Sequence, residues 1–360
     1  RIVGAEPIIV INIGTKSWNG PDANEEEFLQ DAMDWVEYCN GPASSKWGRI
    51  RAENGHPEPY NVKFWEIDNE TWHMGPEAYA EAVKKFATAL KKVDPTIKII
   101  ACGSGALGWG DLRWNRIVIE RCAEFIDYLS LHHYEWNPNG FVGGPEAFER
   151  FIRENLKIIA NSRNPNIKLF ISEWNLQTTD WRTGLYAGGV LNVFERCGDV
   201  VEIASPALFM RHWWSGVLPD GRREWDNAFI NFDHKRWFPA PNYVVMKLWH
   251  DHYAPLLIEI EGETKPLNAT ATKSEDGKRL YFKAVNPTNQ LVEVELTVAS
   301  KNAVKAASMQ LVAPGDLHAR NTLENPNQVK PEPANVQVDG QKLRFTMPPY
   351  SAGVVTVELR

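Results

Sequence analysis

Short apolar runs alternate with helical stretches through residues 7–253, and this alternation constrains the fold more than any other feature of the sequence. Each strand with its following helix takes about thirty to forty residues, the length of a β-α-β crossover. Successive crossovers build a parallel sheet covered by helices. Polar residues stand repeatedly where the apolar runs end, as they do at the functional rim of a (β/α) barrel. Because no glycine-rich phosphate-binding motif opens a helix, the sequence favours a barrel over a doubly wound nucleotide-binding sheet.

Six strands and six helices are predicted from this pattern. The strands are expected at residues 7–14, 62–67, 98–103, 127–133, 168–173 and 200–210. The helices are expected at about 24–39, 77–93, 112–124, 146–162, 183–197 and 242–253. Residues 40–59 are rich in Gly, Pro and Asn and are predicted to form a loop. Trp35 is expected on the apolar face of the first helix, together with Phe28, Ala32 and Val36.

The sequence pattern changes after Tyr253. Short alternating runs at residues 279–285, 291–298 and 353–359 are separated by Pro, Asn and Gly, which is typical of antiparallel strands joined by turns. The sequence therefore predicts an α/β domain, a (β/α) barrel of TIM type, at residues 1–253. An antiparallel β-sandwich domain is predicted at residues 254–360.

Two of the predicted strands end in the same combination of carboxylate, Trp and Asn. FWEIDNETWH at residues 64–73 contains Glu70, and KLFISEWN at residues 168–175 contains Glu173. Either glutamate alone is equally well explained as an ordinary solvated or Arg-paired carboxylate at a strand end. The pair beside aromatic rings matches what a retaining glycosidase needs. One carboxyl must donate a proton to the leaving oxygen, and the other must be ionised to attack the sugar carbon.

The tryptophan content points to the same class of ligand. The chain has 15 Trp in 360 residues, and many of them fall at predicted strand ends or in the loops that follow. Core packing explains a few, but a cleft for sugar rings explains the placement better, because the apolar face of a sugar packs on an indole ring. The tryptophans at these positions are Trp65, Trp72, Trp109, Trp136, Trp174, Trp181, Trp213 and Trp214.

Composition disfavours other classes of function. The net charge of −7 disfavours nucleic acid and anionic membranes as partners, and no apolar run is long enough to span a membrane. The four cysteines lack the spacing of metal ligands, and the adjacent His132 and His133 would point to opposite faces of a strand. No metal or other cofactor is therefore expected. The amino terminus shows no secretory leader pattern, and a cytoplasmic or secreted location and a homo-oligomer all stay open.

Three strand-end motifs resemble those of family 51 of the glycoside hydrolases, chiefly α-L-arabinofuranosidases. WEIDNE at residues 65–70 resembles the W-E-I-G-N-E motif of that family. SLHHY at residues 130–134 is similar to its S-x-H-x-Y signature, and EWN at residues 173–175 is similar to its E-W-N motif. The resemblance extends over roughly residues 5–360 and implies a retaining (β/α)8 catalytic barrel.

The resemblance also implies roles for individual residues. Glu70 would be the general acid/base and Glu173 the nucleophile, while Asn69 would bind the sugar hydroxyl next to the reacting carbon. Tyr134 would hold the nucleophile, with His132 beside it at the site. A retaining site places the two carboxyl groups about 5–5.5 Å apart. Strand alternation further predicts that His133 points away from the cleft, into the helix layer.

The chain departs from the family pattern in three places. Asp68 stands where the family usually has Gly, which puts a further carboxyl beside Glu70. Gln177 stands where many members have a Trp that stacks on the sugar. The substrate of this chain could therefore differ from the substrate of those members. The chain also enters the barrel at what would be its third strand. The first two strands are therefore expected to come from residues outside this sequence or from a neighbouring chain.

The leading interpretation is a retaining, exo-acting α-L-arabinofuranosidase that releases terminal arabinofuranose from hemicellulose-derived glycans. One alternative is an endo-β-glucanase or xylanase on the same barrel, with an open groove lined by Trp109, Trp136 and Trp213. The other is a non-catalytic carbohydrate-binding fragment. An oligo- or polysaccharide is the expected partner in each case. Substrate contacts are predicted for Asn69, Trp72, Trp109, His132, Tyr134, Gln177 and Trp213.

Overall fold

The computed structural model describes residues 4–14, 24–104, 112–212 and 227–360. The helices are α1 Glu25–Asn40, α2 Lys46–Glu53, α3 Pro76–Val93, α4 Leu112–Cys122, α5 Gly144–Ala160, α6 Trp181–Arg196 and α7 Pro241–Asp251. The strands up to the end of α7 are β1 Ile8–Ile11, β2 Phe64–Ile67, β3 Lys98–Cys102, β4 Tyr128–Glu135, β5 Lys168–Leu176, β6 Val201–Ala204, β7 Met210–His212, β8 Ile230–Phe232 and β9 Trp237–Pro239. The later strands are β10 Leu256–Ile258, β11 Asn268–Lys273, β12 Arg279–Asn286, β13 Val292–Thr297, β14 Val304–Val312, β15 Glu332–Ala334, β16 Gln337–Asp339, β17 Lys342–Met347 and β18 Ser351–Leu359.

The first six strands form one sheet in the order β1-β2-β3-β4-β5-β6. Strands β1 to β4 pair in parallel, and their register aligns Ile11 with Ile67 and Ile67 with Ala101. The residues that follow β1, β2 and β3 therefore share one edge of the sheet. The predicted α/β organisation is confirmed here, since helices follow the strands as the sequence pattern indicated.

The chain divides into two compact units, the first of which contains the described residues of 1–132 and 153–172. Helix α3 buries its side chains at three- and four-residue spacing, which is the signature of one helix face packed on a sheet. Trp65 of β2 is fully buried, and its ring lies edge-on to Trp35 of α1 with centroids 6.0 Å apart. Trp35 itself is 47 % exposed, so the predicted apolar face of α1 is only partly covered at this residue.

The second unit contains the described residues of 133–152 and 173–360. Its later strands form two antiparallel sheets, in the orders β10-β11-β12-β18-β14-β15 and β13-β17-β16. Side chains from both sheets share one apolar core, in which Phe282 of β12 meets Phe345 of β17. This arrangement agrees with the predicted β-sandwich. Helix α6 is buried along almost its whole length. Gly188 allows a close approach there, since a Cβ would lie 2.7 Å from a methyl carbon of Val285 on β12.

Two predicted segments are wrong. Residues 40–59 are not one loop, because they contain helix α2. This helix is short and only weakly apolar, and it depends on a tertiary contact that periodicity does not reveal. The fully buried guanidinium group of Arg51 donates to the carbonyl oxygens of Tyr38, Gly41, His56 and Pro57.

The predicted strand at residues 200–210 is two strands. Strand β6 ends at Ala204, and β7 begins at Met210 and pairs in parallel with β8 in a separate three-stranded sheet. Pro206 lies between them, where its missing N–H interrupts strand pairing. Among the described residues, no helix combines the length and the apolar composition needed to cross a membrane.

Candidate active site

The segment that follows β2 carries the first candidate carboxylate in an uncommon backbone conformation. Asp68 and Glu70 both adopt a left-handed conformation, with φ of 57° and 55°. Strand β2 therefore stops at Ile67, and the chain turns sharply at the edge of the sheet. The Glu70 side chain is 48 % exposed, and its Oε1 lies 3.4 Å from Nε2 of His132.

The Asp68 carboxylate binds backbone amides. Its Oδ2 accepts a hydrogen bond from the Ile13 N–H at 3.1 Å, and its Oδ1 accepts one from the Asn69 N–H at 2.8 Å. Asp tolerates the left-handed region better than most residues do. Together these contacts explain how an aspartate fits at a position where the family motif has glycine.

His132 and Trp72 form a fixed pair beside Glu70. The two rings meet edge to face with centroids 5.1 Å apart, and His132 is 4 % exposed. The Trp72 indole N–H donates to the Gly103 carbonyl oxygen at 3.0 Å. This hydrogen bond links the segment that follows β2 to the end of β3. Asn69 is exposed beside them. The first unit therefore brings together four of the residues that the sequence singled out.

The second candidate carboxylate lies in the second unit, on the carboxyl-terminal half of β5. The Tyr134 hydroxyl donates a hydrogen bond to Glu173 Oε2 at 2.7 Å. The predicted contact between these two residues is confirmed. A donor at this distance favours the ionised carboxylate and fixes its rotamer, as a nucleophile requires. Trp136 is 59 % exposed, and its ring centroid lies 6.4 Å from that of Tyr134. An aromatic face is thus available next to the tyrosine.

His133 lies among helix residues, as strand alternation predicted. Its ring packs on Phe148 of α5, with centroids 5.4 Å apart. Nε2 of His133 lies 3.9 Å from Glu135 Oε2, and this neighbouring imidazole, opposed by burial, lowers the pKa of the Glu135 carboxyl below its ordinary value. The register assigned to β4 from the sequence is therefore correct.

Three of the tryptophans predicted to line a sugar cleft belong to the core instead. Trp65, Trp174 and Trp181 are each at most 1 % exposed. Trp174 packs edge-on to Phe194 and Phe229, and the Trp181 indole N–H donates to the Tyr350 carbonyl oxygen at 2.6 Å. Strands of a parallel sheet are buried on both faces of the sheet. The residues around a strand end therefore do not show by themselves which face of the sheet a Trp occupies.

Asn175 also has a structural role. Its side-chain N–H groups donate to the carbonyl oxygens of Ala207 and Asn227, both at 2.8 Å. Asn242 donates to Asn175 Oδ1 at 3.3 Å and to the Asn227 carbonyl oxygen at 3.1 Å. This buried amide network joins the end of β5 to the loop before β7 and to the start of α7.

Three further residues were predicted to contact the substrate, namely Gln177, Trp109 and Trp213. Gln177 donates its backbone N–H to the Glu135 carbonyl oxygen at 2.9 Å. Its side-chain Nε2 is buried and has no hydrogen-bond partner within the described part of the chain. Trp109 and Trp213 lie outside the described residues.

Sequence reasoning missed two residues that contact the Glu70 segment. Cys102, at the end of β3, accepts a hydrogen bond from the Glu70 backbone N–H at 3.3 Å to its Sγ. The Tyr79 hydroxyl donates to the Ile67 carbonyl oxygen at 2.5 Å and accepts from the Cys102 N–H at 2.6 Å. The position of Cys102 at a strand end was the only available signal, since a lone cysteine is usually a small apolar core residue.

Family profiles match most of the chain. Residues 1–153 match the profile described as "Alpha-L-arabinofuranosidase 1 domain". Residues 169–351 match the profile described as "Alpha-L-arabinofuranosidase C-terminal domain". The three strand-end motifs lie within these two ranges.

The chain is also similar to individual members of this group. The structure of an α-L-arabinofuranosidase from Thermotoga maritima, in complex with arabinose, superposes with a TM-score of 0.84 at 28 % identity, covering 99 % of this chain and 76 % of that one. The family 51 α-L-arabinofuranosidase from Thermotoga petrophila superposes with a TM-score of 0.82 at 29 % identity, with the same coverage. An extracellular exo-α-L-arabinofuranosidase from Streptomyces chartreusis is 27 % identical over 72 % of this chain, which spans only 29 % of that relative's length. The chain belongs to the α-L-arabinofuranosidase family, family 51 of the glycoside hydrolases.

Proposed function

We propose that the chain is a retaining, exo-acting α-L-arabinofuranosidase that releases terminal arabinofuranose from hemicellulose-derived glycans. The observation that carries the proposal is the 2.7 Å hydrogen bond from the Tyr134 hydroxyl to Glu173. A strand-end carboxylate fixed by a phenolic donor is suited to nucleophilic attack on a sugar. The exo-acting relative from Streptomyces chartreusis supports the mode of action, and the complex of the Thermotoga maritima enzyme with arabinose supports the sugar.

The proposed reaction has two displacements. Glu173 attacks the anomeric carbon while Glu70 donates its proton to the leaving oxygen, and a glycosyl ester forms on Glu173. The Glu70 carboxylate then takes a proton from water, which attacks the same carbon and frees Glu173. This mechanism requires the two carboxyl groups to face each other at about 5–5.5 Å. That separation, which a crystal structure with bound arabinose would measure, remains a prediction.

Other residues are proposed to orient the sugar and the acid/base. His132, 3.4 Å from Glu70 Oε1, is proposed to orient that carboxyl. Asn69 is proposed to bind the sugar hydroxyl next to the reacting carbon, and Trp136 to offer a face to the ring that follows. The roles assigned above to Trp72, Trp109, Gln177 and Trp213 remain proposals.

The finer description of the fold is also a proposal. The six-stranded sheet with its helices is proposed to be part of a (β/α) barrel of TIM type. The domain boundary is proposed at residues 253 and 254, where the antiparallel strands begin. Both proposals rest on the strand order and on the likeness to the family 51 structures.

A substrate panel tests the activity. Aryl α-L-arabinofuranoside and arabino-oligosaccharides should be hydrolysed with arabinose as the only small product. Xylan and β-glucan should keep their viscosity, because an exo-acting enzyme does not cut within the chain. Shortened xylan or β-glucan chains would instead indicate the endo-acting alternative. Sugar binding without any turnover would indicate a non-catalytic fragment.

Tyr134→Phe is expected to lower kcat/KM on aryl α-L-arabinofuranoside by about 10- to 100-fold. A hydrogen bond to a charged group is worth about 1.5–3 kcal/mol, which corresponds to that range of rates. Loss of the donor should also raise the pKa of the Glu173 carboxyl and move the acidic limb of the pH profile of kcat/KM to higher pH. Tyr253→Phe, at a residue that follows α7 and is 65 % exposed, is the matched control. An unchanged acidic limb in Tyr134→Phe would contradict the assigned role.

A further inference from the structure

The backbone around Glu70 must be held in place by its surroundings. Two of the three residues from 68 to 70 are left-handed, with φ of 57° at Asp68 and 55° at Glu70. Aspartate visits this region occasionally, whereas a long side chain such as that of glutamate is uncommon there. Strained conformations of this kind persist when the contacts around them over-determine the backbone. The contacts that do so come from the ends of both neighbouring strands.

Two hydrogen bonds join Asp68 to the side of β1, and a third binds it to the next residue of its own segment. Its backbone N–H donates to the Ile11 carbonyl oxygen at 2.9 Å and continues the β1–β2 ladder by one step. Its carboxylate then accepts from the Ile13 N–H at 3.1 Å and from the Asn69 N–H at 2.8 Å. The two carboxylate oxygens bind different amides, so the side chain anchors the turn to the segment after β1.

On the side of β3, Cys102 holds the Glu70 amide directly. The distance from the Glu70 nitrogen to Cys102 Sγ is 3.3 Å, and Cys102 is 1 % exposed. Burial raises the pKa of the Cys102 thiol far above its ordinary value, so the sulfur is neutral and acts as a weak acceptor. The Tyr79 hydroxyl, which bridges the Ile67 carbonyl oxygen and the Cys102 N–H, keeps the two strand ends at a fixed distance.

We propose that Asp68 and Cys102 are positioning residues, which hold the left-handed backbone at residues 68 and 70 and thereby direct the Glu70 carboxyl to its place beside His132. This inference rests on the proposed function, in which Glu70 is the acid/base. Glycine, which the family motif has at position 68, reaches positive φ without side-chain strain. In this chain the Asp68 side chain takes part in fixing the turn, so the conformation depends on contacts that glycine could not make.

The test compares substrates that differ in their need for acid catalysis. Asp68→Ala removes both side-chain acceptors, and Cys102→Ala removes the acceptor of the Glu70 amide. Each is expected to lower kcat by about 10- to 100-fold on an alkyl or oligosaccharide substrate, because small displacements of a catalytic group have effects of this size. On 2,4-dinitrophenyl α-L-arabinofuranoside, whose leaving group needs little protonation, the loss should stay below about threefold.

Conservative variants separate positioning from general stability. Asp68→Asn keeps an oxygen acceptor and tolerates positive φ, and Cys102→Ser keeps an acceptor for the Glu70 amide. Each should therefore lose less activity on the poor leaving group than the corresponding Ala variant. Cys122→Ala, at a buried cysteine of α4, is the matched control for truncating a buried thiol. It should show no dependence on the leaving group, even where the melting temperature falls.

Two outcomes would overturn the proposal. One is an equal loss, or no loss, on good and poor leaving groups in both Ala variants. The other is a crystal structure of Asp68→Ala and Cys102→Ala in which Glu70 keeps its positive φ and its distance to His132. The crystallographic readout does not depend on activity, so it decides the positioning inference even if the wild-type chain hydrolyses no arabinofuranoside. Absence of wild-type turnover would contradict the proposed function separately.

Discussion

Glu173→Ala is expected to lower kcat on every arabinofuranoside by on the order of 10⁴-fold or more, because removal of a nucleophile disables the whole two-step pathway. The loss should be equally large for good and poor leaving groups, since attack on the sugar carbon is needed in both cases. Steady-state rates on a matched pair of aryl and alkyl substrates measure it. Glu70→Ala should behave differently and retain much of its first-step rate on activated substrates, which need little protonation.

Two comparisons make this first prediction specific. Glu202→Ala removes an exposed carboxylate from β6 and should leave kcat unchanged. Azide should accelerate Glu70→Ala, because a small anion can take the place of water when the general base is absent. A Glu173→Ala variant that retains more than about one per cent of the wild-type rate would contradict the role of Glu173.

Lys283→Met is expected to give the largest loss of stability, about 3–5 kcal/mol in the free energy of unfolding. The Lys283 side chain on β12 is fully buried, and its ammonium group pairs with Glu195 Oε1 on α6. The other carboxylate oxygen of Glu195 is buried without a hydrogen-bond partner within the described residues. The substitution would therefore leave an unpaired carboxylate in an apolar setting. Chemical denaturation at pH 7 measures the change.

The pH dependence of this variant follows from the direction of the pKa shift. Burial raises the pKa of Glu195 above its ordinary value of 4.5, and the attraction of Lys283 opposes that rise. Without Lys283, the folded-state pKa of Glu195 rises further. The stability that a raised carboxyl pKa contributes is fully present below the unfolded-state pKa and is lost as pH rises through the folded-state pKa. The deficit of Lys283→Met should therefore be smaller near pH 4.5 than at pH 7.

A double variant is the control for this second prediction. Glu195→Leu combined with Lys283→Met replaces the buried pair with apolar groups of similar volume, and such replacements are often close to neutral. Its free energy of unfolding should lie well above that of Lys283→Met alone. A Lys283→Met variant as stable as the wild type at pH 7 would show that the pair is not effectively buried.

Periodicity predicts the elements that carry long, regular patterns. Strands β1 to β5 and all helices except α2 follow the predicted positions within a few residues, because their apolar spacing is set by the faces they bury. The Tyr134–Glu173 contact was also predictable, since motif resemblance and strand alternation agree on it. The alternation of side chains along β4 likewise predicted that His133 faces the helix layer, where its ring packs on Phe148.

The backbone details of the candidate site could not be predicted in the same way. The sequence of residues 65–70 does not show that two of them adopt positive φ. That conformation depends on contacts with Ile13 and Cys102, which are distant in sequence. The buried roles of Trp65, Trp174 and Trp181 were missed for a related reason. Whether a tryptophan beside a strand end lines a cleft or packs against the helix layer depends on the register of its strand and on the helices that cover it.

Trapping of the covalent intermediate tests the central claim most directly. Glu70→Ala is mixed with 2,4-dinitrophenyl α-L-arabinofuranoside, so that the first step proceeds and the second is slow for lack of a general base. The protein is then quenched in acid, digested with pepsin and analysed by mass spectrometry. The proposed mechanism predicts that the peptide containing Glu173 gains the mass of one pentosyl group, with the fragment ions placing it on that glutamate. An unmodified Glu173 peptide during steady turnover, or a pentosyl group on any other residue, would contradict it.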